Sequence, residues 1–332
     1  MSVEPALFVE APARLHFGVL DLLGDRGRRF GGIGAAIPAP SLLLEAAPAA
    51  GLEADGPDAA RVLEFARRFA AHHRVDLRLR FRVHRSIPSH AGLGSGTQLA
   101  LAVARAAAEL TAPPLPTDVA ALARAVDRGL RSGVGTWTFA HGGFVLEGGR
   151  VGTDHADRVA PLLARLAFPP AWRCVVAVPR GKPGLTGDEE AAAFARLPAP
   201  DAREVERVAH VVLMQLLPAL AEADLTGFGT ALGEVQRITG GWFAPAQGGV
   251  FAPGETRALV ERLREWGAVG VGQSSWGPAV YGIVGDSAAA GTLAGRVRAA
   301  LGPGGAVYEG PFSATGARVW RERGAGGSAV SG

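Results

Sequence analysis

Two periods of apolar residues run along this chain. In 75–83, Val75, Leu77, Leu79, Phe81 and Val83 alternate with Asp76, Arg78, Arg80 and Arg82, the period-two pattern of a half-buried strand. A second strand is predicted over 7–20, interrupted at Ala11-Pro12-Ala13, with Arg14, His16 and Gly18 on one face and Leu15, Phe17 and Val19 on the other. Short strands are expected at 33–37, 42–46, 144–146, 174–178, 279–284 and near Val307 and Val319. Helical spacing appears at 58–73, where Val62, Phe65, Ala66 and Phe69 share a face, and at 99–110, which has no Gly or Pro. Further helices are predicted over 117–129, capped by Thr117, after the loop 179–190 to an end near Leu197, and over 203–220, 225–238, 255–266 and 287–301. Gly240, Gly241, Trp242 and Phe243 read as a loop between two of these.

The stretch between the alternating strand and the helix over 99–110 carries the first chemistry. It reads Pro88, Ser89, His90, Ala91, Gly92, Leu93, Gly94, Ser95, Gly96, Thr97, Gln98. Strand, glycine-rich turn and helix N-terminus together make an anion site: glycine lets the backbone approach a phosphate, and unpaired N–H groups point at it. No Lys follows the glycines, so this is not a Walker loop, and G-x-G-x-x-G after a first strand is absent. The ordinary alternative is a tight turn that only starts a helix. Two more glycine-rich stretches follow, 131–137 and 270–278.

The 332 residues suffice for two domains, and composition changes at Phe168-Pro169-Pro170, which places 1–168 and 169–322 in separate units with a flexible tail at 323–332. Charge narrows the partners. A net charge of +3 with no run of five like charges gives no support to nucleic-acid binding. No run of eighteen apolar residues occurs, so no membrane contact is expected, and the first residues lack a signal-peptide layout, so a cytoplasmic protein is expected. Cys174, the single cysteine, lies in an apolar run and reads as core.

Three glycine loops in this order resemble the GHMP kinase superfamily. Pro88 to Thr97 is similar to its phosphate loop, Ala11-Pro12-Ala13-Arg14 to its N-terminal segment, and Gly270 to Gly277 to its C-terminal loop. The resemblance implies an α+β, two-domain GHMP-kinase-like fold: an N-terminal ribosomal-protein-like β-α-β domain and a C-terminal ferredoxin-like domain. Kinases of this superfamily carry an Asp in S-G-x-D as base for the accepting hydroxyl; here Ser132-Gly133-Val134-Gly135 lacks it. A narrower branch, the β-ribofuranosylaminobenzene 5′-phosphate synthases, resembles the chain in six stretches: Arg14 to Gly18, Gly31 to Gly34, His90 to Gln98, Arg131 to Thr136, Pro179 to Gly181 with Gly184, Glu190 and Phe194, and Gly272 to Gly277.

That resemblance implies a decarboxylating transfer from 5-phosphoribosyl 1-diphosphate (PRPP) to 4-aminobenzoate or 4-hydroxybenzoate, the first committed step toward tetrahydromethanopterin. It also implies a homodimer. Leaving diphosphate calls for cationic groups, backbone N–H groups and Mg²⁺ (or Mn²⁺), with Ser95, Thr97 and Glu190 as the expected metal ligands. Arg14, His16, His90, Arg131 and Lys182 are the candidate catalytic residues, with Ser132 and Gly133 beside the phosphate loop and Asp21, Gln273, Ser274, Ser275 and Trp276 at the substrate. His16 reads equally as a core histidine, Arg131 and Lys182 as solvated charges, and Asp188, Glu189 and Glu190 as carboxylates favoured at a helix start. Trp242, Phe243 and Trp276 either stack on an aromatic acid or belong to the core. Two other functions compete: an ATP-dependent small-molecule kinase, and a non-catalytic ligand- or RNA-binding protein on the same fold.

Overall fold

The computed structural model describes residues 5–129, 131–152, 158–180, 184 and 187–322. The chain opens with a long antiparallel pair, β1 (Ala6–Asp21) and β2 (Arg28–Pro48), followed by β3 (Glu53–Asp55), α1 (Ala59–His73), β4 (Leu79–Arg85) and α2 (Ser95–Leu110). Next come α3 (Val119–Ala125), α4 (Val134–His141), β5 (Phe144–Glu147), β6 (Arg150–Val151) and β7 (Leu162–Leu166). The second half holds β8 (Arg173–Val178), α5 (Gly187–Arg196), α6 (Ala202–Val211), a π-helical turn (Val212–Leu216), α7 (Leu217–Ala221), α8 (Leu225–Gln247) and α9 (Glu255–Glu265). It ends with β9 (Val269–Gln273), β10 (Val280–Val284), α10 (Ser287–Leu301), β11 (Ala306–Pro311) and β12 (Arg318–Glu322).

The first sheet runs β12-β1-β2-β4-β3, with β5 and β6 also pairing on β2 and β7 on β5. The interruption expected at Ala11-Pro12-Ala13 is a register shift inside one continuous strand, and 33–37 and 42–46 belong to the single strand β2. The alternation in 75–83 pairs only from Leu79, because Val75 N–H is bound to the Ala70 carbonyl as α1 ends. Asp118, rather than Thr117, caps α3 by accepting from Ala121 N–H.

The second sheet has the order β11-β8-β10-β9, all antiparallel, with α10 crossing between β10 and β11. This is the ferredoxin-like arrangement. Its apolar run is continuous because both faces are covered. Val175, Ala177 and Val280 pack with the α9 residues Leu259 and Leu263, while Val176, Tyr281 and Ile283 join the core of the first half. Phe17 of β1 meets Tyr281 of β10 at 5.1 Å between ring centroids.

The chain crosses between the halves at Phe168-Pro169-Pro170, and Phe168 stacks on Phe312 at 3.6 Å and meets Phe228 edge-on at 5.9 Å. β12 returns to pair with β1, so residues 318–322 belong to the first sheet, not to the second unit where 169–322 had placed them. Two elements differ from the pattern reading. Residues 134–141, taken as part of a glycine stretch, form α4; and α8 runs through Gly240, Gly241, Trp242 and Phe243 to Gln247, past the expected end at 238. Cys174 is buried, as expected, and burial pushes its thiol well above the ordinary value. Among the described residues no helix is long and apolar enough to cross a membrane.

Candidate active site

The loop after β4 turns on two left-handed glycines, Gly92 (φ 80) and Gly94 (φ 79), and Gly94 is the residue before α2. At Gly92 the requirement is spatial as well: a Cβ there would lie 2.2 Å from the Ser274 carbonyl oxygen. The carbonyls of residues 90–93 are held by protein donors. His90 O accepts from Gly184 N–H (2.8 Å), Ala91 O from Ala279 N–H (3.0 Å) and Leu93 O from Arg14 N–H (3.0 Å). Gly92 O accepts from the Ser274 hydroxyl (2.7 Å) and from the Arg14 guanidinium. The carbonyl side of the loop is thereby closed, and the N–H side at the start of α2 is where an anion fits.

Two arginines that sequence reasoning did not single out stand over that first turn. A Cβ on Gly96 would lie 3.0 Å from Arg61 Nη2 and 3.5 Å from Arg128 Nη2. Arg61 is oriented by Asp58 (3.1 Å) and the Ser89 hydroxyl (3.0 Å), and Arg128 lies 4.9 Å over the Phe65 ring. Burial, then the Arg61 and Arg68 charges, push the Arg128 guanidinium below its ordinary value. Asp58 and Glu64 offset part of this charge, and Arg128 Nε, which has no partner among the described residues, leaves a donor for a bound anion. Arg61 reads as a surface charge on a helix and Arg128 as a helix-end cation, so only the fold brings them together.

Beside the loop, between the two halves, lies a cleft of about 780 Å³, open mouth included. β1 contributes Arg14 and His16, the 131–132 turn Arg131 and Ser132, α5 Glu190 and Phe194, α8 Gln236 and Phe243, and the third glycine loop Gln273, Ser275 and Trp276. Its wall is aromatic: Phe194 meets Phe30, Phe243 and Trp276 edge-on at 5.9, 5.5 and 5.6 Å. Arg131 lies 5.6 Å over Phe194 and donates to Glu190 at 2.9 Å, while its Nη1 has no partner among the described residues. The other Glu190 oxygen accepts from Trp276 Nε1 (3.1 Å). Phe30 and the α8 glutamines carry no local signal for such a wall. Trp276 and Phe243 settle on the cleft side of the alternatives open in the sequence, and buried Trp242 is bound to Glu204 at 2.8 Å.

The floor holds a group of buried polar side chains. Burial, then the Arg14 charge, lower the His16 imidazole to about 3, so it is neutral. Its Nε2 lies 3.2 Å from the Ser132 hydroxyl, and its main-chain N–H donates to Ser274 Oγ (3.0 Å). Behind Ser132 is Glu147, fully buried, which accepts from Gly133 N–H (3.2 Å) and Gly149 N–H (2.8 Å). Burial raises its carboxyl to about 7 against the pull of these two N–H groups and of the Ser132 hydroxyl. In sequence Glu147 opens an ordinary Glu-Gly-Gly turn. Arg14 is lowered to about 10 by burial, opposed by Glu190, and stays charged.

The remaining expected residues are placed as follows. His90 is exposed with φ 56 and does not line the cleft; its main chain, not its ring, is used. Asp21 is not in the cleft either and accepts from Gly24 N–H (2.8 Å), a turn-forming role. Lys182 lies outside the described residues. Ala91 and Leu93 point into the core, and buried Gln98 donates to Gly135 O (2.9 Å). Pro88 and Ser89 form the outer rim, and Ser274 is a buried clasp rather than a lining group. Gln273 is braced by Gln236, Gln247 and Ala252.

A metal set is not built from the residues named for it. Both oxygens of Glu190 are engaged, by Arg131 and Trp276. Among the described residues no three His, Cys, Asp or Glu side chains converge as metal ligands.

Comparison with known proteins fits this geometry. The GHMP kinases N terminal domain family matches residues 60–143 and the GHMP kinases C terminal family residues 216–302. The chain is 34% identical over 323 residues to the beta-ribofuranosylphenol 5′-phosphate synthase of Methanothermobacter thermautotrophicus, covering 92% of this chain and 96% of that protein. It belongs to that synthase family. The synthase of the same name from Archaeoglobus fulgidus is 32% identical, covering 85% and 89%. Among solved structures, a homoserine kinase from Cytophaga hutchinsonii superposes with a TM-score of 0.68 at 16% identity, covering 96% of this chain and 99% of that one. Mevalonate diphosphate decarboxylase from Staphylococcus aureus superposes at 0.65 and 12% identity, over 95% and 98%. These two share the fold, and synthase membership rests on the sequence relatives.

Proposed function

We propose that this protein transfers the 5-phosphoribosyl group of PRPP to a para-substituted benzoate, releasing carbon dioxide and diphosphate. The observation that carries this reading is the aromatic-walled cleft with a free Arg131 donor beside a cation-flanked helix N-terminus. In the reaction the C1–diphosphate bond breaks and its electron pair leaves with diphosphate. The ring carbon bearing the carboxylate bonds to C1, and the carboxylate C–C pair returns to the ring as carbon dioxide departs. No alcohol is deprotonated. Arg61, Arg128 and the Ser95 and Gly96 N–H groups receive the diphosphate, where fixed donors are worth most. Arg131 holds the benzoate carboxylate, the aromatic wall holds the ring, and neutral His16 accepts a hydrogen bond from the para O–H or N–H. The relatives' name specifies a phenol, which favours 4-hydroxybenzoate over 4-aminobenzoate here.

Mg²⁺ or Mn²⁺ enters this reading as the counterion that arrives with the diphosphate, since Mg²⁺ is commonly held by phosphate oxygens and water with few protein ligands. No step above depends on it. A homodimer is part of this reading on the family resemblance alone. The kinase alternative is disfavoured at Gly135, which supplies no carboxylate, and a Cβ there would lie 3.1 Å from Thr97 Cγ2, a tight contact that Thr97 would have to relieve. The test supplies PRPP, Mg²⁺ and carboxyl-labelled benzoate without ATP. Label released as carbon dioxide only when both substrates are present supports the reading; no release with either acid from folded protein overturns it.

A further inference from the structure

Glu147 is a buried carboxyl that the reaction above leaves unused. It sits at the end of β5, opposite Gly32 of β2, and that glycine makes room for it. A Cβ on Gly32 would lie 3.2 Å from Glu147 Oε1 and 3.3 Å from His16 Nε2, so carboxyl and imidazole converge on the space that one missing side chain leaves. Gly133 N–H and Gly149 N–H are hydrogen-bonded to the carboxyl, the neighbouring Ser132 hydroxyl also favours its ionised form, and no cation is among the forces acting on it. The nearby charges are committed elsewhere: Arg131 to Glu190, Arg28 to the Gly148 and Gly149 carbonyls, and Arg29 to the Leu22 carbonyl. Arg14 on β1 acts on His16 by charge and is bound to Gly92 O.

Ser132 joins the two titratable groups and has one proton to give. Its oxygen also receives Val134 N–H at 3.2 Å. When Glu147 is a carboxylate, the Ser132 proton points to it, and the Ser132 oxygen can only accept from His16 Nε2–H. The imidazole then carries its proton on Nε2 and a lone pair on Nδ1. When Glu147 takes a proton from solvent, the acid donates to Ser132 and Ser132 donates to Nε2. The imidazole, neutral throughout, then carries its proton on Nδ1.

We propose that Glu147 is a positioning residue of this site: by way of Ser132 it selects which nitrogen of His16 carries the proton. With Glu147 ionised, Nδ1 is the acceptor that a para O–H or N–H of the substrate requires. No described residue is hydrogen-bonded to Nδ1. The kinetic consequence rests on the synthase reading; the tautomer itself is a property of the substrate-free protein.

The experiment is nitrogen NMR of histidine-labelled full-length protein, wild type and Ser132→Ala, from about pH 5.5 to about pH 8.5, with His16 assigned by substitution. Wild type is expected to pass from the Nδ1–H to the Nε2–H form with a midpoint near that of Glu147, about 7. Ser132→Ala is expected to show one tautomer at every pH. A wild-type tautomer that never changes, or a step that persists in Ser132→Ala, overturns the proposal. In turnover, kcat/KM for the aromatic acid is expected to fall roughly tenfold per unit below pH 7 in wild type. In Glu147→Gln that pH step should vanish, at a level about 10²-fold lower, with KM for PRPP unchanged. A protein that shows the NMR step but no synthase turnover retains the coupling and loses only the synthase reading.

Discussion

At the scale of single residues, the carboxyl of Glu147 makes folding itself respond to pH. In the unfolded chain it ionises at its ordinary 4.5, whereas the native state keeps the proton to about 7. The native state therefore binds more protons across that window, and stability falls as pH rises through it, by about 3 kcal/mol in all. His16 acts with the opposite sign: its native value of about 3 lies below the ordinary 6.5, so stability falls as pH drops through that range. Urea unfolding of wild type and Glu147→Gln at several pH values separates the two. The variant is expected to keep the acid-side loss and to lack the loss between pH 4.5 and 7. Arg131 offers a second residue-scale test. Replacing it by Met keeps a stem over Phe194 but removes the fork. Steady-state kinetics should show KM for the aromatic acid rising roughly 10- to 100-fold with KM for PRPP little changed.

At the scale of elements, the glycine loop and α2 were legible in sequence because their signal is local. Left-handed glycines, a helix N-terminus and an Ala/Leu-rich run need no tertiary context to be read. Of the floor, Arg14, His16, Ser132 and Ser274 were named from the sequence, and Glu147 was not. Glu147 looks like the start of a turn, and only the approach of β2 at Gly32 and of the Ser132 turn makes it a buried carboxyl. Residues 240–241 misled for a physical reason. Glycine usually ends a helix, but here Gly240 admits a close neighbour, since a Cβ there would lie 2.4 Å from the Val250 carbonyl oxygen. α8 therefore continues and delivers Phe243 and Gln247 to the cleft. Two substitutions test the loop as a unit. Gly92→Ala should cost about 2 kcal/mol or more, through its left-handed φ and the clash with Ser274 O, and should raise KM for PRPP. Gly135→Asp should displace Thr97 and lower Tm without creating ATP-dependent phosphoryl transfer, as an ATPase assay can check.

Across the whole molecule, the halves are joined at the site itself. Ser274, on the loop between β9 and β10, bonds Gly92 O and His16 N–H at once, so one hydroxyl ties the phosphate loop, the first strand and the second domain together. Ser274→Ala should lower kcat more than it lowers Tm. The first sheet is closed by the end of the described chain: β12 pairs with β1, Trp320 stacks on Phe8 at 5.5 Å, and Arg318 pairs with Glu10. That pairing sets an order of events during synthesis on the ribosome. A nascent chain extended past Phe168 has made seven of the eight strands of the first sheet, yet β1 still lacks its outer neighbour. An unpaired strand edge is a template for pairing with other chains. The newborn protein therefore carries an open flank until residues 318–322 have emerged, and a chaperone that shelters sheet edges would have its longest engagement with the first strand made.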